Sequence, residues 1–286
     1  MKPAAFEYQR VTSSEEAVEC LSAFGEDAKI LAGGQSLVPM MNFRLARPSA
    51  LIDINGIRDL DYITPTTQGL RIGALTRHAS LEQPMNRDGR WSFLSPLAHF
   101  IGHYPIRTRG TFGGSVVHSD PSAELPTLCV ALDADIQVRG PDGSRTVPAR
   151  SFFKGPFQVN MEPEEMLCEV ELGSPPVGAR VVVEEIARRA GDFAIVLVIA
   201  GLHIEEGVCR WARIGLGGVA GVPVRALDAE ALLVGAPLTE EAFKEAAEAA
   251  IRELTPPEDI HASAEYRKHV TGVLVRRALS RASEQA

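Results

Sequence analysis

The chain has 286 residues, 45% of them hydrophobic, so it is long enough for two or three subdomains with apolar cores. A net charge of −8, with no run of more than two lysines or arginines, argues against nucleic acid or an anionic membrane surface as a partner. The longest apolar run, 193–202, is too short to span a bilayer and no apolar signal segment follows Met1, so we expect a cytoplasmic protein.

A helix is predicted near the start of the chain, because Ser13 and Glu16 have the spacing of a capping box and apolar residues then recur at helical intervals. The next apolar run, residues 29–37 (KILAGGQSL), is expected to begin as a buried strand that Gly33 and Gly34 interrupt. Adjacent glycines let a backbone turn sharply and approach a ligand closely.

This glycine pair indicates an anion site. Consecutive N–H groups in such a turn form an anion-binding concavity, to which the Gln35 amide and the Ser36 hydroxyl can add donors. Alone, a double glycine is more often a plain turn than a phosphate site. Residues 113–115 (GGS) repeat the pattern roughly eighty positions later, and two such turns could hold the two phosphates of one dinucleotide.

Short elements are predicted for the rest of the first 173 residues. We expect strands at 50–54, 69–75 and 165–172, a hairpin of 134–139 with 144–148, and helices near 78–81, capped by Thr76, and at 93–101. Residues 102–111 hold two arginines between glycines, which favours a binding loop. The helix that contains Leu128 is expected to become regular only near Pro126.

Residues 174–178 (SPPVG) are the clearest domain boundary. Beyond them, strands are predicted at 180–186, 195–204 and 208–217, and helices near 226–234, 240–254 and 264–282. Such a meander backed by helices is an α+β domain. The cysteines are scattered singly in apolar segments, which predicts buried thiols rather than disulfides or a metal site; they are Cys20, Cys129, Cys168 and Cys209.

Other nucleotide-binding and catalytic motifs are rejected. Residues 215–220 fit G-x-G-x-x-A, but Pro223 prevents the immediate helix that a pyrophosphate needs. No P-loop sequence occurs, and neither Ser36 nor Ser115 lies in the G-x-S-x-G context of a nucleophile. Among the histidines only His118, beside the second glycine segment, is a candidate for the site, and an ordinary surface histidine is an equally good interpretation.

Four segments together resemble the FAD-binding medium subunit of the molybdenum hydroxylases. They are AGGQSL at 32–37, IRTRGTFGGSVVHSDPSAELP at 106–126, ARRAGDFA at 187–194 and AEYRKHVTGVLVRRAL at 264–279. That family includes carbon monoxide dehydrogenase, quinoline oxidoreductase, 4-hydroxybenzoyl-CoA reductase and the flavin domain of xanthine dehydrogenase. The resemblance covers almost the whole chain, and four motifs in one order are far more specific than either glycine segment alone.

The resemblance implies an α+β protein with an FAD-binding fold of the vanillyl-alcohol oxidase or p-cresol methylhydroxylase type. Two α/β subdomains, residues 1–56 and 57–173, would hold FAD between them. Residues 179–286 would form a C-terminal α+β domain of the carbon monoxide dehydrogenase flavoprotein type.

The resemblance also implies the residues that bind the cofactor. The pyrophosphate would lie on Leu31, Ala32, Gly33, Gly34, Gln35, Ser36 and Leu37, with Thr111, Gly113, Gly114 and Ser115 as a second wall. Glu124 and Asp120 would bond the ribose or adenine half, while Ile101 and Leu167 would pack on the cofactor. Backbone donors can bind a pyrophosphate without a lysine, which suits an acidic chain.

Phe193 is predicted to lie against the isoalloxazine ring and to limit access to one of its faces, because the matching family segment approaches the flavin. It stands where several relatives have tyrosine. The alternative, that Phe193 begins the core face of the next strand, is supported at least as well by the sequence alone.

By this resemblance the chain is the electron-transfer subunit of an oxidoreductase, with FAD bound non-covalently and no side chain acting as a catalytic acid or base. Substrate would be hydroxylated at a molybdopterin cofactor on a large molybdenum-binding subunit. Two iron–sulfur clusters on a small subunit would pass the electrons to FAD and on to an external acceptor. A dimer of such heterotrimers is the expected assembly.

Departures from the carbon monoxide enzymes bear on the substrate. Those enzymes typically have histidine where Gln35 stands and G-D-P-G-N-D where this chain has residues 118–124. An N-heterocycle, an aldehyde or a related compound is therefore the expected substrate of the complex.

Two other functions stay open at this point. A stand-alone FAD oxidase of the same fold would have its own substrate pocket, and its isolated chain would turn over a reduced substrate. A module that binds phosphate without a redox cofactor would show no flavin bands, even after FAD is added.

Overall fold

The chain begins with a small parallel sheet in the computed structural model, which describes residues 2–83 and 89–284. Its elements are β1 (Glu7–Arg10), α1 (Ser14–Phe24), β2 (Ala28–Leu31), α2 (Leu37–Asn42) and β3 (Ala50–Asp53), with strand order β1-β3-β2. The Ser13 hydroxyl caps α1 as predicted, accepting from the Glu16 N–H at 3.1 Å. Both strand pairs are parallel, so the segment that contains Gly33 and Gly34 leaves the sheet at its C-terminal edge.

A five-stranded antiparallel sheet with helices forms the second unit. Its elements are β4 (Ile63–Pro65), β5 (Gly69–Gly73), α3 (Leu94–Phe100), α4 (Tyr104–Arg107), α5 (Phe112–His118), α6 (Glu124–Ala131), β6 (Asp135–Gly140), β7 (Gly143–Pro148), α7 (Ala149–Phe152), β8 (Phe153–Gly155), β9 (Gln158–Val159) and β10 (Met166–Gly173). The sheet order is β4-β5-β10-β6-β7, and β8 pairs with β9 separately. The predicted strands and the hairpin are confirmed.

The C-terminal unit is a four-stranded antiparallel sheet covered by helices. Its elements are β11 (Arg180–Ile186), β12 (Val196–Glu205), β13 (Val208–Gly217), β14 (Val224–Arg225), α8 (Leu227–Leu233), α9 (Glu240–Arg252) and α10 (Ala264–Glu284). The predicted meander and its three helices are therefore confirmed. In the part of the chain that the structure describes, no helix is both long and apolar enough to cross a membrane.

The other face of the C-terminal sheet packs on α6, which joins the second and third units. A Cβ on Gly215 would lie 2.6 Å from the Ala131 Cβ, and one on Gly217 would lie 2.5 Å from the Thr127 hydroxyl oxygen. These glycines of the rejected G-x-G-x-x-A segment therefore serve helix packing. The motif runs into a bend and β14, with no helix directly after it.

Two helix predictions are wrong in detail. Residues His78–Glu82 form a 3₁₀ helix whose first flanking residue is Arg77, while the Thr76 hydroxyl donates to the Tyr62 carbonyl at 2.8 Å instead of capping it. α6 begins at Glu124, because Pro126 occupies its first turn, where a missing N–H costs no helical hydrogen bond.

The segment 102–111 is also more ordered than predicted. It contains the single-turn helix α4, and Arg107 is buried against Glu82 and donates to the Gly102 carbonyl at 2.8 Å. Arg107 therefore stabilises the loop instead of binding a ligand. Of the predicted buried thiols, Cys129 and Cys209 are buried, whereas Cys20 and Cys168 are partly exposed.

Candidate cofactor site

A cavity of about 730 Å³ lies where the three units meet, a size typical of cofactor clefts. Its walls come from the segment after β2, the start of α5, the N-terminus of α6, β10 and the loop before β12. It brings together all but two of the predicted site residues: Ala32, Gly33, Gly34, Gln35, Ser36, Leu37, Ile101, Thr111, Gly113, Gly114, Ser115, Glu124, Leu167 and Phe193.

Leu31 and Asp120 are the two that do not line the cavity. The Leu31 carbonyl accepts from the Ile54 N–H at 3.1 Å, inside the first sheet. The Asp120 carboxylate accepts from the Ser122 N–H at 2.9 Å in the turn that leads to α6. Both residues support the cavity walls from behind.

The first glycine segment presents a run of unpaired backbone donors. Within residues 2–83 and 89–284, none of the N–H groups from Gly33 to Leu37 donates to a protein acceptor. Gly34 adopts a left-handed φ of 72°, which turns the chain here. Buried or lining N–H groups rarely stay unpaired, so this run is suited to an anion with several acceptor oxygens.

The second glycine segment is built differently from the predicted turn. It forms the first turn of α5, with the Thr111 hydroxyl accepting from the Gly114 N–H at 3.1 Å. The Gly113 N–H donates to the Ala74 carbonyl at 3.0 Å, so the predicted donor at Gly113 is already used. This segment is therefore a close-packed wall opposite the free donors of the first.

At Gly33 and Gly113, neighbouring protein atoms occupy the space that a side chain would need. A Cβ on Gly33 would lie 2.3 Å from the Arg109 carbonyl oxygen, and one on Gly113 would lie 2.8 Å from the Ala74 Cβ. The two glycine segments can thus approach each other only because these positions have no Cβ.

Glu124 is the buried acid of the cavity, with 4% of its surface exposed. Burial raises the pKa of its carboxyl from 4.5 to about 7, and the Asp120 charge acts in the same direction. A second acid, the half-buried Glu185 of β11, has its pKa raised to about 8 by burial and by the charge of Glu124. An ionised Glu124 therefore disfavours the ionisation of Glu185.

The substitution Glu124→Gln should remove a pH dependence from folding stability. Because the folded-state pKa is raised, the stabilising contribution is complete below about pH 4.5 and is lost as the pH rises through about 7. The shift corresponds to about 3 kcal/mol. The difference in unfolding free energy between the FAD-free wild type and this variant should therefore fall by about that amount from acid to mildly basic pH.

Urea denaturation at several pH values measures this difference, with the exposed Glu248→Gln on α9 as the matched control. A difference between wild type and Glu124→Gln that does not change with pH would contradict a buried, proton-binding Glu124.

Sequence reasoning missed three polar residues at the site: His78 lines the cavity, whereas Asn55 and Arg77 lie behind its walls. The His78 Nε2–H donates to the Thr111 carbonyl at 2.8 Å, while its Nδ1 has no partner among the described residues. Burial lowers the pKa of His78 to about 4, so the ring is neutral and Nδ1 is a free acceptor at the cavity wall. His118, the histidine that the sequence singled out, also lines the cavity.

Phe193 lies in the loop before β12, and 57% of its surface is exposed. The alternative that it begins the core face of the next strand is therefore wrong. Its side chain belongs to the part of the cavity wall that the C-terminal unit supplies.

Comparison with known proteins places these features in a family. Residues 4–175 match the FAD binding domain in molybdopterin dehydrogenase, and residues 182–282 match the CO dehydrogenase flavoprotein C-terminal domain. The chain is 39% identical to subunit alpha of the 6-hydroxypseudooxynicotine dehydrogenase complex of Paenarthrobacter nicotinovorans, covering 100% of this chain and 97% of that one.

Solved structures agree. Carbon monoxide dehydrogenase from Hydrogenophaga pseudoflava, in a form lacking the Mo-pyranopterin moiety, has a matching chain with a TM-score of 0.96 and 38% identity over 100% of both chains. Quinoline 2-oxidoreductase from Pseudomonas putida 86 gives a TM-score of 0.93 and 35% identity over 99% of both chains. The chain therefore belongs to the family of FAD-binding medium subunits of the molybdenum hydroxylases, which are oxidoreductases.

Proposed function

We propose that this chain is the electron-transfer subunit of a heteromeric molybdenum hydroxylase, and that it binds the FAD pyrophosphate on the backbone between Gly33 and Leu37. The observation that carries this assignment is the run of unpaired N–H groups lining the cavity. An uncharged donor run suits a phosphate in a chain whose net charge is −8. When bound, FAD supplies the redox chemistry.

The chain's own residues bind and orient the cofactor. The start of α5 would close the second side of the pyrophosphate site, and Glu124 is proposed to bond the ribose or adenine half. Ile101 and Leu167, both buried in the cavity wall, supply apolar packing. The loop of Gly191 to Phe193 closes the cavity from the C-terminal unit and is proposed to cover one face of the flavin.

The partners are proposed from the relatives, which are subunits of multi-subunit complexes. A large subunit with molybdopterin cofactor would oxidise an N-heterocycle, an aldehyde or a related compound, and a small subunit with two iron–sulfur clusters would deliver the electrons. This chain would pass them to an external acceptor. The cytoplasmic location and the dimer of heterotrimers stay predictions.

Affinity purification of the endogenous chain tests this assembly. We expect two unlike partner chains to co-purify in equal amounts, with molybdenum and iron in the sample, through interfaces of roughly 1,600 Å² or more. Purification as a lone chain that contains flavin and consumes a reduced substrate would contradict the proposed subunit role.

The substitution Phe193→Ala should leave FAD bound but change the flavin. The pyrophosphate site lies elsewhere, whereas loss of an aromatic ring from one flavin face exposes it to water. We expect shifts in flavin absorption, reduction potential and rate with dioxygen. The unfolding free energy should fall by less than about 1 kcal/mol, because Phe193 is 57% exposed.

Phe43→Ala is the matched control, since Phe43 is 66% exposed and does not line the cavity. If Phe193→Ala leaves all three flavin properties at the wild-type values, Phe193 does not contact the ring.

A further inference from the structure

The two glycine segments are joined by a chain of hydrogen bonds behind the cavity wall. The Asn55 side-chain amide donates to the Ala32 carbonyl at 2.8 Å, just before the first glycine. The Arg77 guanidinium donates through Nη2 to the Asn55 side-chain oxygen at 2.7 Å. Through Nη1 it also donates to the Arg109 carbonyl, just before the second segment.

The Arg109 carbonyl is the group that a side chain on Gly33 would meet, at 2.3 Å. Arg77 therefore fixes the oxygen against which the first glycine segment packs. An isolated bridge also pairs Arg77 with Thr111, the cap of α5. Arg77 is thus bonded directly to the segment before α5 and, through the Asn55 side chain, to the first glycine segment, where the two walls approach most closely.

The base of this link is anchored in the first sheet. The Asp53 carboxylate accepts from the Asn55 N–H at 2.9 Å and from the Asn55 side-chain amide at 2.6 Å, and the Tyr8 hydroxyl donates to its other oxygen. These bonds fix the orientation of the Asn55 side chain independently of Arg77, so the link is rigid.

Arg77 is a half-buried cation without a direct counter-charge. Its acceptors are a carbonyl and an amide, and no carboxylate among the described residues forms an ion pair with it. Burial and the neighbouring Arg109 charge lower the pKa of Arg77, although the charges of Asp61 and Asp53 act in the opposite direction, so a further anion nearby would stabilise its charged form. Arg77 does not line the cavity, which separates it from the residues that contact the ligand.

We propose that Arg77, held by Asn55, is a positioning residue that fixes the spacing between the Gly33–Leu37 donors and the α5 wall, and so sets the affinity for the FAD pyrophosphate. This inference rests on the proposed function, because it concerns the same site. Binding an anion across two segments is strong only if their separation is fixed beforehand.

The test is a double-mutant cycle on the full chain, with FAD affinity measured by quenching of flavin fluorescence on addition to FAD-free protein. Arg77→Met and Asn55→Ala should each weaken FAD binding on the order of 10- to 100-fold. Because both residues belong to one link, the double variant should bind no more weakly than the weaker single variant. Arg71→Met is the matched control, since Arg71 lies on β5, shortly before Arg77 in the chain, and pairs with Glu169 away from the cavity.

Two further readouts separate positioning from general damage. ADP, which carries the pyrophosphate without the flavin, serves as a competitor. In each variant its affinity should fall by the same factor as the affinity for FAD. Arg77→Lys keeps the charge but cannot donate to both acceptors in the same geometry, so it should fall between wild type and Arg77→Met. If Arg77→Met fails to fold, Arg77→Lys and Asn55→Ala decide the result.

Wild-type FAD affinity in Arg77→Lys and Asn55→Ala would overturn the inference, as would effects that add fully in the double variant. A lower affinity for FAD with an unchanged affinity for ADP would also overturn the inference, because the effect would then lie on the flavin half of the cofactor. Failure of the wild type itself to bind FAD would instead overturn the proposed function.

Discussion

The variant Gly33→Ala is expected to bind FAD on the order of 100-fold more weakly than wild type, although it adds only one methyl group. The added carbon would lie 2.3 Å from the Arg109 carbonyl oxygen and 2.8 Å from the Gly110 Cα. Both are backbone atoms, so the two segments must separate to relieve the overlap. Separation moves the free N–H run of the first segment away from the α5 wall, and a ligand that spans both loses contacts.

Titration of FAD-free protein with FAD measures the effect, and Gly221→Ala is the matched control. A Cβ at Gly221 would meet only Pro156 at 3.4 Å, an ordinary contact, and Gly221 does not line the cavity. The control should bind FAD as wild type does. Equal FAD affinities for Gly33→Ala and wild type would show that the segments need not be this close.

The variant Arg267→Met is expected to lose about 3–5 kcal/mol of unfolding free energy. Arg267 of α10 is 3% exposed and donates to the Ile195 carbonyl at 2.6 Å, the Gly218 carbonyl at 2.9 Å and the Asp259 carboxylate at 2.7 Å. Methionine fills similar volume but leaves two carbonyls deep in the protein without this donor. Ile195 lies directly after the loop that contains Phe193 and lines the cavity, so disturbing its carbonyl should lower the FAD affinity as well.

Urea denaturation measures the loss, with Arg276→Met as the control. Arg276 lies on the same helix, is exposed and should change the unfolding free energy by no more than about 0.5 kcal/mol. A loss of less than about 1 kcal/mol in Arg267→Met would contradict a structural role for its hydrogen bonds.

The first glycine segment could be predicted because its physics is local. An apolar strand followed by Gly33 and Gly34 must turn, and an N–H run in such a turn has no neighbouring carbonyls to pair with. The C-terminal meander was also predictable, since its strands are long and β-rich and Gly207, with a φ of 76°, marks the turn between two of them.

The second glycine segment could not be assigned from its own residues. The same small-residue pattern forms a turn in one place and a helix in the other, because glycine tolerates both conformations. What decides the outcome is Thr111, whose hydroxyl caps α5, together with the Ala74 carbonyl, which comes from a distant part of the chain. A threonine three residues before Gly114 was the local signal for a helix cap.

The roles of Asn55, Arg77 and His78 had no sequence signal. Each acts through partners more than twenty positions away in the chain, such as Asn55 with Ala32 and Arg77 with Arg109. Single polar residues after strands are common in loops, and only the tertiary structure shows which of them bridge two walls of a cavity.

Flavin reduction in the purified complex tests the central claim most directly. The native complex and the isolated chain, each loaded with FAD, are mixed without oxygen with a panel of N-heterocycles and aldehydes, and the flavin absorption band is followed. We predict that at least one compound bleaches the flavin of the complex and that none bleaches the isolated chain, because in the proposed assembly the electrons arrive through partner subunits. Equally fast bleaching of the isolated chain by the same compound would contradict the account and assign the chain as an oxidase in its own right.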